Sequence, residues 1–233
     1  KAMKTRKAKD WWTVTFGDPV SWLILSLIGD WKWITPSGIT LLSLIVRLAG
    51  AVLIAISCQI WGVIFIQIGI VMDHMDGNLA RYRKSCTLTG GFTDRIFDGI
   101  SFFAIITALG WYSVSQGSSL YILLLATLAG AFYLLICYIY WSYAYLELKE
   151  KGKSVIVNPG VIGANLADIP TWKIIINGQK LFFKFHHIDY YFWISLAILT
   201  GQPELGVWLH FIIIGLNFQQ RFKLRLKEIS KFG

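Results

Sequence analysis

The chain has 233 residues, of which 55% are hydrophobic, 15% aromatic and 15% charged, with a formal net charge of +9. Apolar runs of about 20 residues recur, the length that crosses a bilayer as a helix, and several lack the polar face that a soluble domain needs, which excludes an ordinary water-soluble fold. Three cysteines are too few and too scattered for a disulfide framework or a zinc site, and the lysines and arginines gather in blocks, a distribution that fits a membrane face rather than nucleic acid.

The first ten residues are basic and polar with no apolar core, so no cleavable signal peptide is expected. Residues 10–33 carry Trp11, Trp12, Trp22, Trp31 and Trp33, interrupted by Asp18, Pro19 and Asp30. Tryptophan prefers headgroup depth, which predicts a short amphipathic helix lying in the interface. Thr35-Pro36 is a helix start, with Thr35 as N-cap and Pro36 in the first turn. Six transmembrane helices are then predicted, over 37–57, 60–81, 90–114, 119–147, 189–201 and 204–221. The fifth is short and must recruit Phe182, Phe183 and Phe185 or tilt differently. The expected fold is an all-α integral membrane protein. Residues 1–36 form its basic N-terminus and interfacial helix, and residues 37–233 its catalytic domain.

The connections near 58–60, 115–119 and 201–204 contain no Lys or Arg, whereas those at 81–89 and 149–188 and both termini are basic. An even number of spans puts the termini on one side, and the basic segments fall on that same side. The positive-inside rule then places both termini in the cytoplasm, with the protein in the cell (inner) membrane. The long stretch 150–188 holds the turn signals Asn158-Pro159-Gly160, Pro170 and Asn177-Gly178 around the apolar Val155-Ile156-Val157 and 172–176. It is expected to fold back onto the cytoplasmic face, with Lys149, Lys151, Lys153, Lys173, Lys180 and Lys184 towards anionic headgroups.

The chemistry is concentrated between the second and third spans. Asp73, Asp76, Gly77, Ala80 and Arg81 are followed, after eight residues, by Gly90, Asp94 and Asp98. At about 100° per residue, Asp73, Asp76, Gly77 and Ala80 share one helix face. Gly90, Asp94 and Asp98 form a second stripe, and the short connection predicts antiparallel neighbouring helices whose four carboxylates converge. A carboxylate inside a membrane costs roughly 2.5–3.5 kcal/mol on insertion scales, so a compensating cation is expected. Like charges this close require one. Oxygen-only ligands select hard cations, magnesium or manganese. Gly77, Ala80 and Gly90 lack bulk and admit a nucleotide close to the backbone, and Arg81 is suited to bidentate phosphate binding. Structural ion pairs with Arg47, Arg81 and Arg95, or an ion pathway, are the competing readings. Arg47 in mid-span would pair with an acidic group or a lipid phosphate. Arg95 is turned about 100° from the aspartate stripe, and His74 is read as a packing residue.

The pattern D-x-x-D-G-x-x-A-R, eight residues, then G-x-x-x-D-x-x-x-D resembles the signature of the CDP-alcohol phosphotransferase family, with every fixed position present. Eight fixed positions match by chance with a probability on the order of 10⁻¹⁰ per starting point. The resemblance implies transfer of a substituted phosphate from a CDP-alcohol to the hydroxyl of an acceptor alcohol, with release of CMP. It implies a homodimer with two divalent metal ions, magnesium or manganese, per protomer. Asp73, Asp76 and Asp94 would be metal ligands, and Asp98 the general base and a further ligand. Gly77, Ala80, Arg81 and Gly90 would shape the CDP pocket. The stretch Thr35-Pro36-Ser37-Gly38-Ile39-Thr40 is also similar, with Thr35 and Pro36 expected on the cytidine side and Ser37 standing where many relatives carry Asn. The expected donor is CDP-diacylglycerol or a related CDP-lipid, because the pocket opens at the membrane boundary. Membrane lipids are the expected partners and nucleic acid is not. A soluble CDP-alcohol donor with a lipid acceptor, and a membrane cation-binding or transport protein, are the alternatives.

Overall fold

The computed structural model describes residues 10–152 and 170–230, and these are helical with no strand among them. The basic block 1–9, Lys153, Val155-Ile156-Val157 and Asn158-Pro159-Gly160 lie outside the described residues. A π-helical turn at Thr13–Gly17 leads into α1 (Asp18–Ile28), followed by α2 (Pro36–Ala55), α3 (Gln59–Tyr82), α4 (Leu88–Ser115) and α5 (Tyr121–Lys151). After the long connection come α6 (Thr171–Gly178), a 3-10 turn, α7 (His187–Leu199) and α8 (Pro203–Ile229). A helix therefore stands at each of the six predicted span positions.

Two of these helices begin where a threonine caps them. Thr35 Oγ1 accepts the Gly38 N–H at 3.1 Å and Thr87 Oγ1 accepts the Gly90 N–H at 3.0 Å, each satisfying a backbone donor that the first turn leaves open. Pro36 follows Thr35 at a position where its missing N–H costs nothing. α5 stops at Gly152, whose φ of +66° is open to glycine.

Four helices, α2 to α5, are long and apolar enough to cross a membrane, the architecture of a membrane protein. α7 has 13 residues, which is about 20 Å of helix against a hydrocarbon core of about 30 Å. α8 is 27 residues long but carries Arg221, Lys223, Arg225 and Lys227 in its second half. Both are packed into the bundle: Tyr191, Ile194, Val207 and Ile214 join Ile66, Phe102, Ile105 and Leu109 in the main core. Outward-facing Leu41, Ile45, Val52, Trp61 and Ile68 on α2 and α3 leave an apolar exterior that suits lipid.

The N-terminal segment is locked onto α3. Leu25 of α1 packs with Val71, Met75 and Leu79, supported by Phe16 and Val20. Trp12 donates its backbone N–H to Asp189 Oδ1 at 2.8 Å, tying the segment to α7 as well. His74 is buried, 3.4 Å from Thr13 Oγ1 and against Gly17, which agrees with the packing role read from the sequence. The described part of the long connection also folds back. Gln179 accepts the Trp11 indole N–H at 2.8 Å, and Gly178 lies against Val14.

Candidate active site

α2 and α3 run in unusually close contact. A Cβ on Gly62 would lie 2.9 Å from the Gly50 carbonyl oxygen, and a Cβ on Gly50 would lie 3.0 Å from the Gly62 carbonyl oxygen. Small residues on both sides let the two backbones meet, the usual way in which membrane helices gain packing. One turn further along, the stem of Arg47 crosses Gly69. α2 also packs along α4, whereas α3 and α4 scarcely touch each other. The expected direct pairing of α3 and α4 is therefore corrected: α2 packs against both, and the carboxylates of α3 and α4 face each other beside it.

Asp73 on α3 and Asp94 and Asp98 on α4 come together, each offering an oxygen within 4.8 Å of the others. All three are half-buried and the donors are oxygen alone, a set that fits a hard divalent cation. Asp76 does not join that group of three. It is more deeply buried, and its Oδ2 accepts the Thr40 hydroxyl at 2.5 Å. Arg47, fully buried on α2, donates through Nη1 to Asp98 Oδ1 at 2.8 Å and through Nη2 to Asp73 Oδ1 at 3.0 Å. Of the pairings weighed from sequence, the one to acidic groups is the one found.

The remaining residues of the pattern sit at the end of α3 and the start of α4. Gly77 faces the Arg81 guanidinium, whose Nη1 would lie 3.3 Å from a Cβ there. Arg81 donates to Asn78 Oδ1 at 2.6 Å, and Asn78 Nδ2 donates to Ser21 Oγ at 2.9 Å and Asp18 Oδ1 at 3.3 Å. α1 thus holds Arg81 through Asn78. Ala80 is half-buried one residue away, and Gly90 occupies the first turn of α4 beneath Thr87. Thr35 and Pro36 open α2, where Thr35 serves as a cap. Their link to the carboxylates runs through Thr40, one turn on, whose hydroxyl also lies 3.0 Å from the Pro36 carbonyl oxygen. Arg95 lies over the Trp141 ring, 4.4 Å from its centroid.

Asp98 also borders a cavity of about 960 Å³ between α4, α5, α7 and α8. Ile96, Ile100, Phe103 and Leu134 give it apolar walls, and Arg95 and Arg221 supply positive charge. Thr40, Asn78 and this cavity are the features that the sequence pattern did not single out. Thr40 stood within the quoted upstream stretch, and its spacing of four from Pro36 was the available signal.

Among known families, the CDP-alcohol phosphatidyltransferase model matches residues 33–212, which include all four aspartates, Arg47 and Arg81. No curated protein matches the chain.

Proposed function

The chain belongs to the CDP-alcohol phosphatidyltransferase family, and from that premise we propose that it transfers a substituted phosphate from a CDP-lipid, CDP-diacylglycerol or a close relative, to the hydroxyl of an acceptor alcohol. The family brings a CDP-alcohol donor, an alcohol acceptor and a place in phospholipid biosynthesis. The observation that carries the proposal is the convergence of Asp73, Asp94 and Asp98 from two helices.

In this reading Asp73, Asp76, Asp94 and Asp98 would hold two divalent ions, magnesium or manganese, which when bound would neutralise charge on the pyrophosphate and the departing CMP. Arg81 binds phosphate oxygens, and Gly77, Ala80 and Gly90 leave room for the nucleotide beside the backbone. Asp98 accepts the proton of the acceptor hydroxyl. The acceptor oxygen forms a bond to the phosphorus that bears the donor alcohol, the pyrophosphate P–O bond breaks, and CMP leaves with the electron pair. Thr35 and Pro36 lie on the cytidine side. We further propose that α7 and α8 complete six spans and that α1 lies at the interface. Both termini and the site then face the cytoplasm at the cell membrane, and the enzyme is a homodimer.

The apolar cavity beside Asp98 favours a second reading, in which the acceptor is itself a lipid and the donor is a soluble CDP-alcohol. One assay separates the two. Purified protein is given CDP-diacylglycerol or soluble CDP-alcohols, magnesium or manganese, and pooled acceptors, with Asp98→Asn alongside. CMP release from CDP-diacylglycerol that needs an acceptor and is lost in the variant supports the first reading. Release from soluble donors alone supports the second. Release from neither refutes both and leaves a cation-binding or transport role.

A further inference from the structure

We propose that Arg47 is the resident counter-cation of this site: it ties Asp73 on α3 to Asp98 on α4 when no divalent ion is bound, and thereby sets how tightly the site takes one. The inference rests on the reading of Asp73 and Asp98 as metal ligands. Arg47 has no exposed surface. A guanidinium so placed is stable only with opposite charge in hydrogen-bonding contact, and the converse holds for the carboxylates. Its two terminal nitrogens divide between the helices, 2.8 Å to Asp98 and 3.0 Å to Asp73, with Ser43 Oγ 3.2 Å from Nη2. Among the described residues its Nε has no hydrogen-bond partner, so its polar contacts there are concentrated at the fork.

The surrounding backbone is shaped for this side chain. A Cβ on Gly69 would lie 2.4 Å from Arg47 Cγ and 3.3 Å from the Ser43 carbonyl oxygen, so residue 69 has no room for a side chain while Arg47 lies there. Because α3 and α4 scarcely touch, the two halves of the carboxylate group depend on α2 for their spacing, and Arg47 is the polar cross-tie. Each carboxylate meets Arg47 through its Oδ1. A positive charge held beside the ion site also opposes a divalent ion. Removing Arg47 therefore weakens the metal-free fold and strengthens metal binding, two effects that a merely structural arginine would not couple.

The test uses full-length protein in detergent, with Mn²⁺ affinity read from the spin-resonance signal of the free ion and unfolding followed in chelator and in saturating Mn²⁺. Arg47→Met is expected to lower Tm in chelator and to bind Mn²⁺ about tenfold more tightly, with a correspondingly larger Mn²⁺-induced rise in Tm. Arg47→Lys keeps the charge and is expected to stay within about threefold of the wild-type affinity, because the charge term is unchanged. If Arg47→Met fails to fold, the double variant Arg47→Met/Asp98→Asn decides: it removes one of the two stranded carboxylates, which relieves the repulsion between them, and is expected to fold in chelator. Failure of the double variant to fold overturns the proposal. Equal or weaker Mn²⁺ binding in Arg47→Met than in wild type overturns it while leaving the metal reading intact. Absence of Mn²⁺ binding in the wild type overturns both.

Discussion

Thr40 donates its hydroxyl to Asp76 Oδ2 at 2.5 Å, joining the first turns of α2 to the aspartate face of α3. The same hydroxyl lies 3.0 Å from the Pro36 carbonyl oxygen, so the start of α2 and the carboxylate are linked through one side chain. Groups that orient a ligand from behind typically change metal affinity or activity 10- to 100-fold when removed. Thr40→Val is therefore expected to lower acceptor-dependent CMP release by about 10- to 100-fold, while Thr40→Ser keeps most of it. Titration of activity with Mn²⁺ checks the cause. If Thr40→Val keeps the wild-type metal dependence, Thr40 does not act through Asp76.

Arg81 is held by Asn78, and Asn78 by Asp18 and Ser21 of α1. Asn78→Ala removes this support without touching Arg81. The expected result is a rise in KM for the CDP-alcohol of about tenfold, roughly the worth of one charge-assisted hydrogen bond, with kcat changed less. Arg81→Lys loses the planar fork and is expected to behave similarly but more severely. A fall in kcat at unchanged KM would remove Arg81 from donor binding.

Asp98→Asn keeps the shape of the side chain but cannot accept the hydroxyl proton. A positioned base typically contributes 10²–10⁴ in rate, so CMP release is expected to fall by about that factor. Asp73→Asn and Asp94→Asn are expected to raise the metal concentration needed as well. Chelation is expected to abolish turnover in the wild type, and magnesium or manganese to restore it. Activity that persists in chelator would refute the metal-dependent mechanism.

The glycines between α2 and α3 separate stability from function. Gly62→Ala drives a methyl to 2.9 Å from the Gly50 carbonyl oxygen, a backbone atom that cannot step aside. Overpacking of this kind costs about 1–3 kcal/mol and should appear as a lower Tm in detergent. Gly69→Ala meets the stem of Arg47 instead. Its expected signature is lost activity and altered Mn²⁺ affinity out of proportion to the change in Tm. A pure stability loss would show that Arg47 tolerates displacement.

Two native cysteines report orientation. Cys58 and Cys86 are exposed and flank α3, which spans Gln59–Tyr82, about 36 Å of helix. In right-side-out cells, a membrane-impermeant maleimide is expected to label Cys58 and to reach Cys86 only after the cells are opened. The reverse pattern would place the carboxylates on the outer side.

The sequence alone determined the helices and the residues on their faces, because these follow from local geometry. Thr35 and Pro36 mark a helix start wherever they lie. Spacings of three and four put Asp73 and Asp76 on one side of α3, and Asp94 and Asp98 on one side of α4. Hydrophobic length predicted six spans, whereas four helices of the structure are long and apolar enough to cross a membrane, and α7 has only 13 residues. Only the tertiary structure decided how those faces meet. The short connection after α3 suggested direct pairing with α4, yet the glycines at 50, 62 and 69 draw α2 onto α3, and α2 packs against α4 as well. That placement makes Arg47 the tie between Asp73 and Asp98 and draws Asp76 to Thr40, while Arg95 lies over Trp141. Helical periodicity is a property of neighbouring residues, whereas the partner of a buried charge is set by packing between segments distant in the chain.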